Sequence, residues 1–531
     1  MDYKPHHLPE EEAQEKRLES ELKHRHDKPL FKVGLDPSHL LHSEDTTQEE
    51  RQAEREGFHH AKLPPGSFGK PLVGQNLSLI RDGYDFFLRK SHAPESGRYT
   101  PLFRAHLMGE RAIVIAGAKE AKLFYDENLV TRAGGYAKQL TKYFFGANTM
   151  VTMDGEDHRC RKAQVLASFD VAHLRRYLVL YGSILDKYLQ RWKERSSQGG
   201  TIKCSEQFIQ MDTELAMAYV LGIHDPPLTE VEKRATQLVH IMEIIGAAIF
   251  PVEVPGFRQS KAGKARRKLS KWLMGLVKET KRRLDEGQEV EDCFLKSIVT
   301  GTDIEGKHFP EEVQVEELIN ALRPTMLVGY LQTFMLHALH EYPQVVESVS
   351  QELNNLLSDY SQRNRNDETG HSFYKDSDFL EGMNYCECFI REVKRFYPCI
   401  PLLSARVKKS FENDGYYFPK DYLMVLAIHA IHRDPRVWDE PDRFDPLRWE
   451  RKENEREDPL FTLVQHGGGD VKQTHRCAGE HLATLMMKAT AARLIRDFEW
   501  DWPTQRFTIY NDEMPTLPVD GMLIANFRER K

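Results

Sequence analysis

The chain has 531 residues, and its 74 Lys and Arg against 81 Asp and Glu give a net charge of −7. That balance supplies no chain-wide basic field of the kind that draws a protein to nucleic acid, and no run approaches the roughly 20 apolar residues needed to cross a bilayer. The opening MDYKPHHLPEEEAQEKR has no apolar signal core, which makes the cytoplasm the expected location, and the seven cysteines lack paired CxxC spacings and read as reduced thiols.

Residues 1 to about 60 are dense in Glu, Lys, Arg and His and poor in large apolar residues, so they read as a disordered or loosely helical extension. Its His6-His7 and His59-His60 pairs read as polar filler. A globular part is expected from about residue 61, after which helical periodicity predominates: 117–126, 157–168, 172–195, 206–222, 229–250, 261–286, 311–340, 343–357, 378–396 and 478–498. Extended pieces are predicted near 111–116, 401–408, 415–429 and 519–527, giving a mainly α fold with a small β component. The polar stretch 358–377 reads as a surface insertion between two helices.

One cysteine stands apart. Cys477 lies in LVQHGGGDVKQTHRCAGEHLATLMMKATAARLIRDF, where a glycine-rich loop meets an amphipathic helix. The positive end of that helix, with His475 and Arg476 beside it, would favour thiolate over thiol. Gly467, Gly468, Gly469 and Gly479 leave room for a flat group, and a thiolate ligand to haem iron fits this pattern; a buried structural cysteine fits the loop alone equally well. Upstream, in CFIREVKRFYP, Glu392 and Arg395 share one helix face. Such a pair is commonplace by itself. Its place before a β-like region, the PDRFDPLRW segment with Arg448 and the cysteine loop is not.

This ordered set resembles the cytochrome P450 superfamily, with a Glu392/Arg395/Arg448 network and a cysteine loop. RPT at 323–325, FYD at 124–126, FG at 145–146, MDGEDH at 153–158, HRDPRVWDEP, QHGGGD, HRCAGE and MPTLPVDG resemble its bacterial-type fatty-acid peroxygenase branch, over roughly residues 63 to 531. The resemblance implies a P450 fold and haem b with Cys477 as axial ligand. By position it makes Arg132, His158, Lys162, Arg406 and His475 the candidate contacts for the haem propionates.

The segment EELINALRPTMLVGYLQTFMLHALHEYP reads as one long helix, which the resemblance lays across the distal face of the haem. Pro324 should kink it near Asn320, because proline removes a hydrogen bond and clashes with the carbonyl four residues back. Arg323 stands at the kink among apolar residues and needs an anionic partner if buried. Glu316 or Glu317 could serve, or the side chain could reach solvent; the resemblance instead makes Arg323-Pro324 the catalytic pair and Arg323 the clamp for a substrate carboxylate. It implies a long-chain fatty acid and hydrogen peroxide as partners, with no redox protein required. The bound carboxylate then moves a proton between the peroxide oxygens, and carbons beside it, Cα or Cβ, lie nearest the oxidant. Thr325 offers a relay hydroxyl, though a helical threonine usually bonds back to its own helix.

Two departures qualify the resemblance. Val151, expected to line the substrate pocket, stands where the branch carries Gln or His; unable to pass a proton, it favours hydroxylation over decarboxylation. Thr474 replaces a glycine expected just before His475. Other readings are a reductase-dependent P450 monooxygenase, a haem-thiolate lyase or isomerase of lipid hydroperoxides, and a non-catalytic haem- or lipid-binding protein.

Overall fold

In the computed structural model, the described residues are 51–53, 55–58, 61–69, 74–92, 99–247, 259–363, 372–505 and 521–530. Both histidine pairs and most of MPTLPVDG lie outside them. Among the described residues ten helices run twelve residues or longer: α1 Gly155–Ala167, α2 Val171–Ser197, α3 Cys204–Leu221, α4 Leu228–Ala247, α5 Lys261–Asp285, α6 Glu311–Leu322, α7 Pro324–Glu341, α8 Pro343–Arg363, α9 Asn384–Phe396 and α10 Glu480–Asp497. None of the helices searched is long and apolar enough to cross a membrane.

Local chemistry sets several boundaries. The Asp170 side chain accepts from the His173 N–H and so starts α2, and Ser260 does the same for α5 through Gly263. Gly222, at φ +69°, ends α3 in the left-handed conformation. The predicted 311–340 helix is in fact two. Pro324 has no N–H to donate, so the hydrogen-bond ladder stops at Arg323, whose own N–H still reaches the Ile319 carbonyl at 3.0 Å. The break therefore falls at Arg323, one turn beyond the kink expected at Asn320. α6 packs with α4 and α5 in one apolar cluster that reaches Tyr330, whereas the second half of α7, from Leu331, packs with α2, α3 and α10 in another. Gly329 lets α7 approach α3 closely, since a Cβ there would meet the Ile209 backbone nitrogen at 3.0 Å.

The strands are β1 Leu102–Leu107, β2 Glu110–Ile115, β3 Val130–Thr131, β4 Ile202–Lys203, β5 Leu402–Val407, β6 Phe411–Asn413, β7 Tyr416–Phe418, β8 Leu423–Ala427, β9 Phe498–Asp501 and β10 Leu523–Glu529. They form sheets ordered β1-β2-β8-β5-β3, β4-β10-β9 and β6-β7, with β2 and β8 parallel. β1 and β9 escape the helical and extended periodicities read from the sequence because their partners, β2 and β10, supply what the strands' own patterns do not. Residues 119–125 are a 3₁₀ helix and not an α-helix, and 378–396 divides at Gly382. The 358–377 stretch is less of a surface insertion than its polarity suggests: α8 continues to Arg363, and Phe373 and Tyr374 are buried in the core. Ala53, ahead of the expected boundary at residue 61, packs in a small cluster with Ala61, Leu63 and Tyr417.

Candidate active site

Three groups of residues carry the candidate chemistry, two of them in contact with the loop that precedes α10. The first is a buried ionic network. Arg395 on α9 donates through two nitrogens to the Glu392 carboxylate, each at 2.8 Å, and Arg448 reaches the same carboxylate at 3.0 Å. Glu453, which sequence reasoning missed, balances the second arginine at 2.7 Å. Trp449 and the Asp445 N–H complete the oxygens of Glu392, while the remaining guanidinium nitrogens donate to carbonyls of His432, Asp439, Pro441 and Arg443. Every charge is matched and hydrogen-bonded, as burial demands. Through His432, whose Nε2 accepts from the Val464 N–H at 3.1 Å, the network anchors the start of the cysteine loop.

The loop itself is held from within. The Cys477 N–H donates to the His466 carbonyl at 2.7 Å, and Gly467 and Gly469 adopt φ of +87° and +82°. Gly468 lies against the Tyr125 and Phe461 rings, each 2.8 Å from where its Cβ would be. Thr474, the departure from glycine, fits because its hydroxyl donates to carbonyls of Gly468 and Asp470. The Cys477 thiol is half-buried, and burial raises its pKa while the Gly479 N–H opposes the rise. Of the two neighbours expected to help, burial pushes His475 down to about 4, leaving it neutral, while the Arg476 guanidinium feels the Cys477 sulfur but pairs mainly with Glu480 at 2.8 Å. The Gly479 amide and the Lys162 and Lys394 charges oppose the rise, without reversing it.

The second group lies beside the loop. His158 and Lys162 on α1, Arg132 after β3 and His475 come together, the first three almost wholly buried. The His158 and His475 rings stack at 4.0 Å, Arg132 lies 4.0 Å over the Phe124 ring, and Lys162 donates to the Thr474 and Arg476 carbonyls. Burial holds His158 down to about 3 and Lys162 to about 8. Both ring nitrogens of His158 and Nε2 of His475 have no hydrogen-bond partner, although Asp154 stands 3.5 Å from His475. Unpartnered imidazole nitrogens beside the buried Lys162 and Arg132 fit an anionic group that this cluster would hold. Arg406 does not join them: its three nitrogens donate to the Gly134 and Asp421 carbonyls and to Glu110. Successive residues of β5 face opposite ways, so Arg406 and the buried Ala405 cannot serve the same side.

The third group surrounds the break between α6 and α7. Arg323 is 7% exposed, and its guanidinium lies 3.8 Å over the Phe144 ring and donates to the Asn320 side chain. Its Nε and Nη1 have no partner. Neither glutamate weighed as its partner takes that role: Glu316 pairs with Arg266 of α5, and Glu317 with Arg161 of α1 at 2.7 Å. Burial, with Arg266 adding, pushes Arg323 down to about 9, so it stays charged at neutral pH. The Thr325 hydroxyl donates to the Leu322 carbonyl at 2.8 Å, filling a place that the proline disturbs. Val151 sits in the turn whose Met150 N–H donates to Glu317 at 2.7 Å, which ties that turn to α6.

A sequence profile described as cytochrome P450 matches residues 64–523. The chain belongs to the cytochrome P450 family. Haem b with an axial cysteine thiolate is the cofactor of that family, and the half-buried Cys477, with Lys162, Arg132 and the unpartnered imidazole nitrogens of His158 and His475 beside its loop, is a donor set suited to it. Among curated P450s, cytochrome P450 120 of Synechocystis sp. is 27% identical over 82% of this chain and 90% of its own length. Cytochrome P450 26B1 of Homo sapiens is 24% identical over 88% of this chain and 86% of its own. Among solved P450 structures, cytochrome P450EX alpha (CYP152N1) with myristic acid superposes with a TM-score of 0.68 at 25% identity, covering 88% of this chain and all 100% of that one. A single-residue variant of cytochrome P450 OleT in complex with arachidonic acid gives a TM-score of 0.73 at 22% identity, over 89% of this chain and 99% of that one.

Proposed function

We propose that this P450 is a fatty-acid peroxygenase, taking hydrogen peroxide as oxidant and hydroxylating long-chain fatty acids at the α or β carbon, with oxidative decarboxylation to alkenes a minor outcome. Cys477 would ligate the haem iron, and Arg132, His158, Lys162 and His475 would hold the propionates. Bound haem supplies the redox chemistry that carries a peroxide oxygen into a C–H bond.

The observation that carries this reading is Arg323: a buried guanidinium with two unpartnered nitrogens, beside two glutamates already taken by other arginines. A substrate carboxylate supplies the missing charge and accepts from the free N–H groups. Once held there, the same carboxylate is positioned to act as the general acid–base. Thr325 bonds to its own helix, and Val151 has no exchangeable proton. The apolar faces of Phe144 and Phe145 exclude water around the pair and strengthen its attraction. Clamping the head group brings the adjacent carbons nearest the oxidant. The fatty acids named in the two solved P450 structures are consistent with this substrate class.

The test is the product profile from one long-chain fatty acid and hydrogen peroxide with no reductant, for which 2- and 3-hydroxy acids are expected. The methyl ester should not react. Turnover that requires NAD(P)H and a reductase would move the monooxygenase reading to first place, and rearrangement of a lipid hydroperoxide with neither co-reactant would favour the lyase or isomerase.

A further inference from the structure

An arginine on a helix leans toward the helix N-terminus. For Arg323 that direction leads past Asn320 to Glu316, seven residues and two turns earlier on the same face. Glu316 packs over Gly146, where an added Cβ would lie 2.6 Å from its carboxylate oxygen, and the neighbouring Phe145 ring is 5.1 Å from the Arg323 guanidinium. The chain thus carries, next to a free buried cation, an internal carboxylate able to close it. What diverts that carboxylate is Arg266, which arrives from α5 and pairs with Glu316. Arg161 diverts Glu317 in the same way, but Glu317 is also fixed by the Met150 N–H and is nearly inaccessible, whereas the Glu316 side chain is 26% exposed. Glu316 is the acid with freedom to move.

We infer that Arg266 is a positioning residue for substrate binding: by holding Glu316 it keeps Arg323 open to an external carboxylate. The inference rests on the carboxylate-clamp reading of Arg323. Without Arg266, Glu316 loses its counter-ion in a half-buried site and turns to the nearest unpaired cation. The enzyme is then inhibited by its own side chain. The competent fraction falls, and the apparent Kd rises by the inverse of that fraction.

The experiment measures fatty-acid binding to the holoenzyme by calorimetry. Arg266→Met should weaken binding about tenfold to a hundredfold, corresponding to a competent fraction of roughly 10% to 1%. Arg266→Met combined with Glu316→Gln should recover affinity to within about threefold of the unaltered enzyme, because only the competing charge has been removed. Arg266 also donates to the Tyr143 carbonyl and to Ser270, and a role limited to supporting that turn is lost equally in both variants. Arg266→Met binding like the parent, or a double variant as weak as the single one, overturns the inference. If Arg266→Met yields no holoprotein, Arg266→Lys with and without Glu316→Gln carries the same comparison, with a smaller loss and the same recovery. Arg323→Gln separates the two claims. Loss of binding in Arg323→Gln with none in Arg266→Met sinks this inference alone, while undisturbed binding in Arg323→Gln sinks the clamp reading beneath it.

Discussion

Two sets of buried arginines lie in this P450, and they differ in one respect. Around Glu392, the charges of Arg395 and Arg448 are answered by Glu392 and Glu453 and by backbone carbonyls. At the α6–α7 break, Arg323 is also buried yet keeps two nitrogens with no partner. A complete set of bonds makes a structural joint, whose removal should damage the fold. An unpartnered nitrogen alone does not mark a site, since Arg161, Arg234 and Arg433 each have one. Those three pair with Glu317, Glu230 and Asp442, whereas Arg323 has no carboxylate partner among the described residues, and a folded chain rarely leaves a buried cation without a counter-ion unless something else supplies it.

The comparison can be broken experimentally. The largest effect is expected at Cys477: Cys477→Ser should abolish the long-wavelength Soret band of the reduced carbonyl complex that marks thiolate ligation. Retention of the band would remove Cys477 as the ligand. Next, Arg323→Ala should reduce peroxide-driven kcat/KM for a fatty acid by roughly a hundredfold to a few thousandfold, equivalent to about 3–5 kcal/mol. Its Tm should stay level or rise, since a buried charge with no protein counter-ion is being removed. Arg395→Ala should do the opposite, lowering stability by about 3–5 kcal/mol and with it the yield of holoprotein, because Glu392 is left half-neutralised. If Arg323→Ala unfolds the protein while Arg395→Ala spares it, the distinction between joint and site is wrong.

A smaller effect sharpens the structural side. His432 is fully buried and neutral, accepting from the Val464 N–H, and burial together with Arg395 and Arg433 holds its pKa well below the ordinary value. Below about pH 6.5 the unfolded chain binds a proton that the folded one refuses. Stability contributed by this site should therefore fall by up to about 1.4 kcal/mol per pH unit as pH drops from that point, and hold level above it. Urea unfolding of His432→Gln beside the parent between pH 7.5 and 5 measures it; parallel curves would rule the group out. The smallest effect is expected at Thr325. Thr325→Ala loses one hydrogen bond to Leu322, about 1 kcal/mol of stability, and should leave peroxide-driven turnover within a few-fold. A loss of two orders of magnitude would restore the hydroxyl as a proton relay.

Much of this was legible in one dimension. The glycine-rich cysteine loop, the Glu392–Arg395 spacing, the break imposed by Pro324 and the long amphipathic helices depend on backbone chemistry within a few residues, and local sequence determines such features because the interacting groups are neighbours in the chain. Asn320 could also have been found, lying one helical turn from Arg323. The order of the sheets and the burial of Phe373 could not, since each depends on a distant partner. Nor could the fate of the charges. Glu316 and Glu317 sit at suitable spacing to neutralise Arg323, and only the arrival of Arg266 from α5 and Arg161 from α1, 50 and 156 residues away, decides that they do not. Arg406 is likewise held apart from the His158 and His475 cluster by carbonyls of two loops and a carboxylate on β2. Sequence sets which groups are available to pair. Tertiary structure alone decides which remain unpaired, because an ion pair forms by proximity in space, and at Arg323 the missing counter-ion is what points to function.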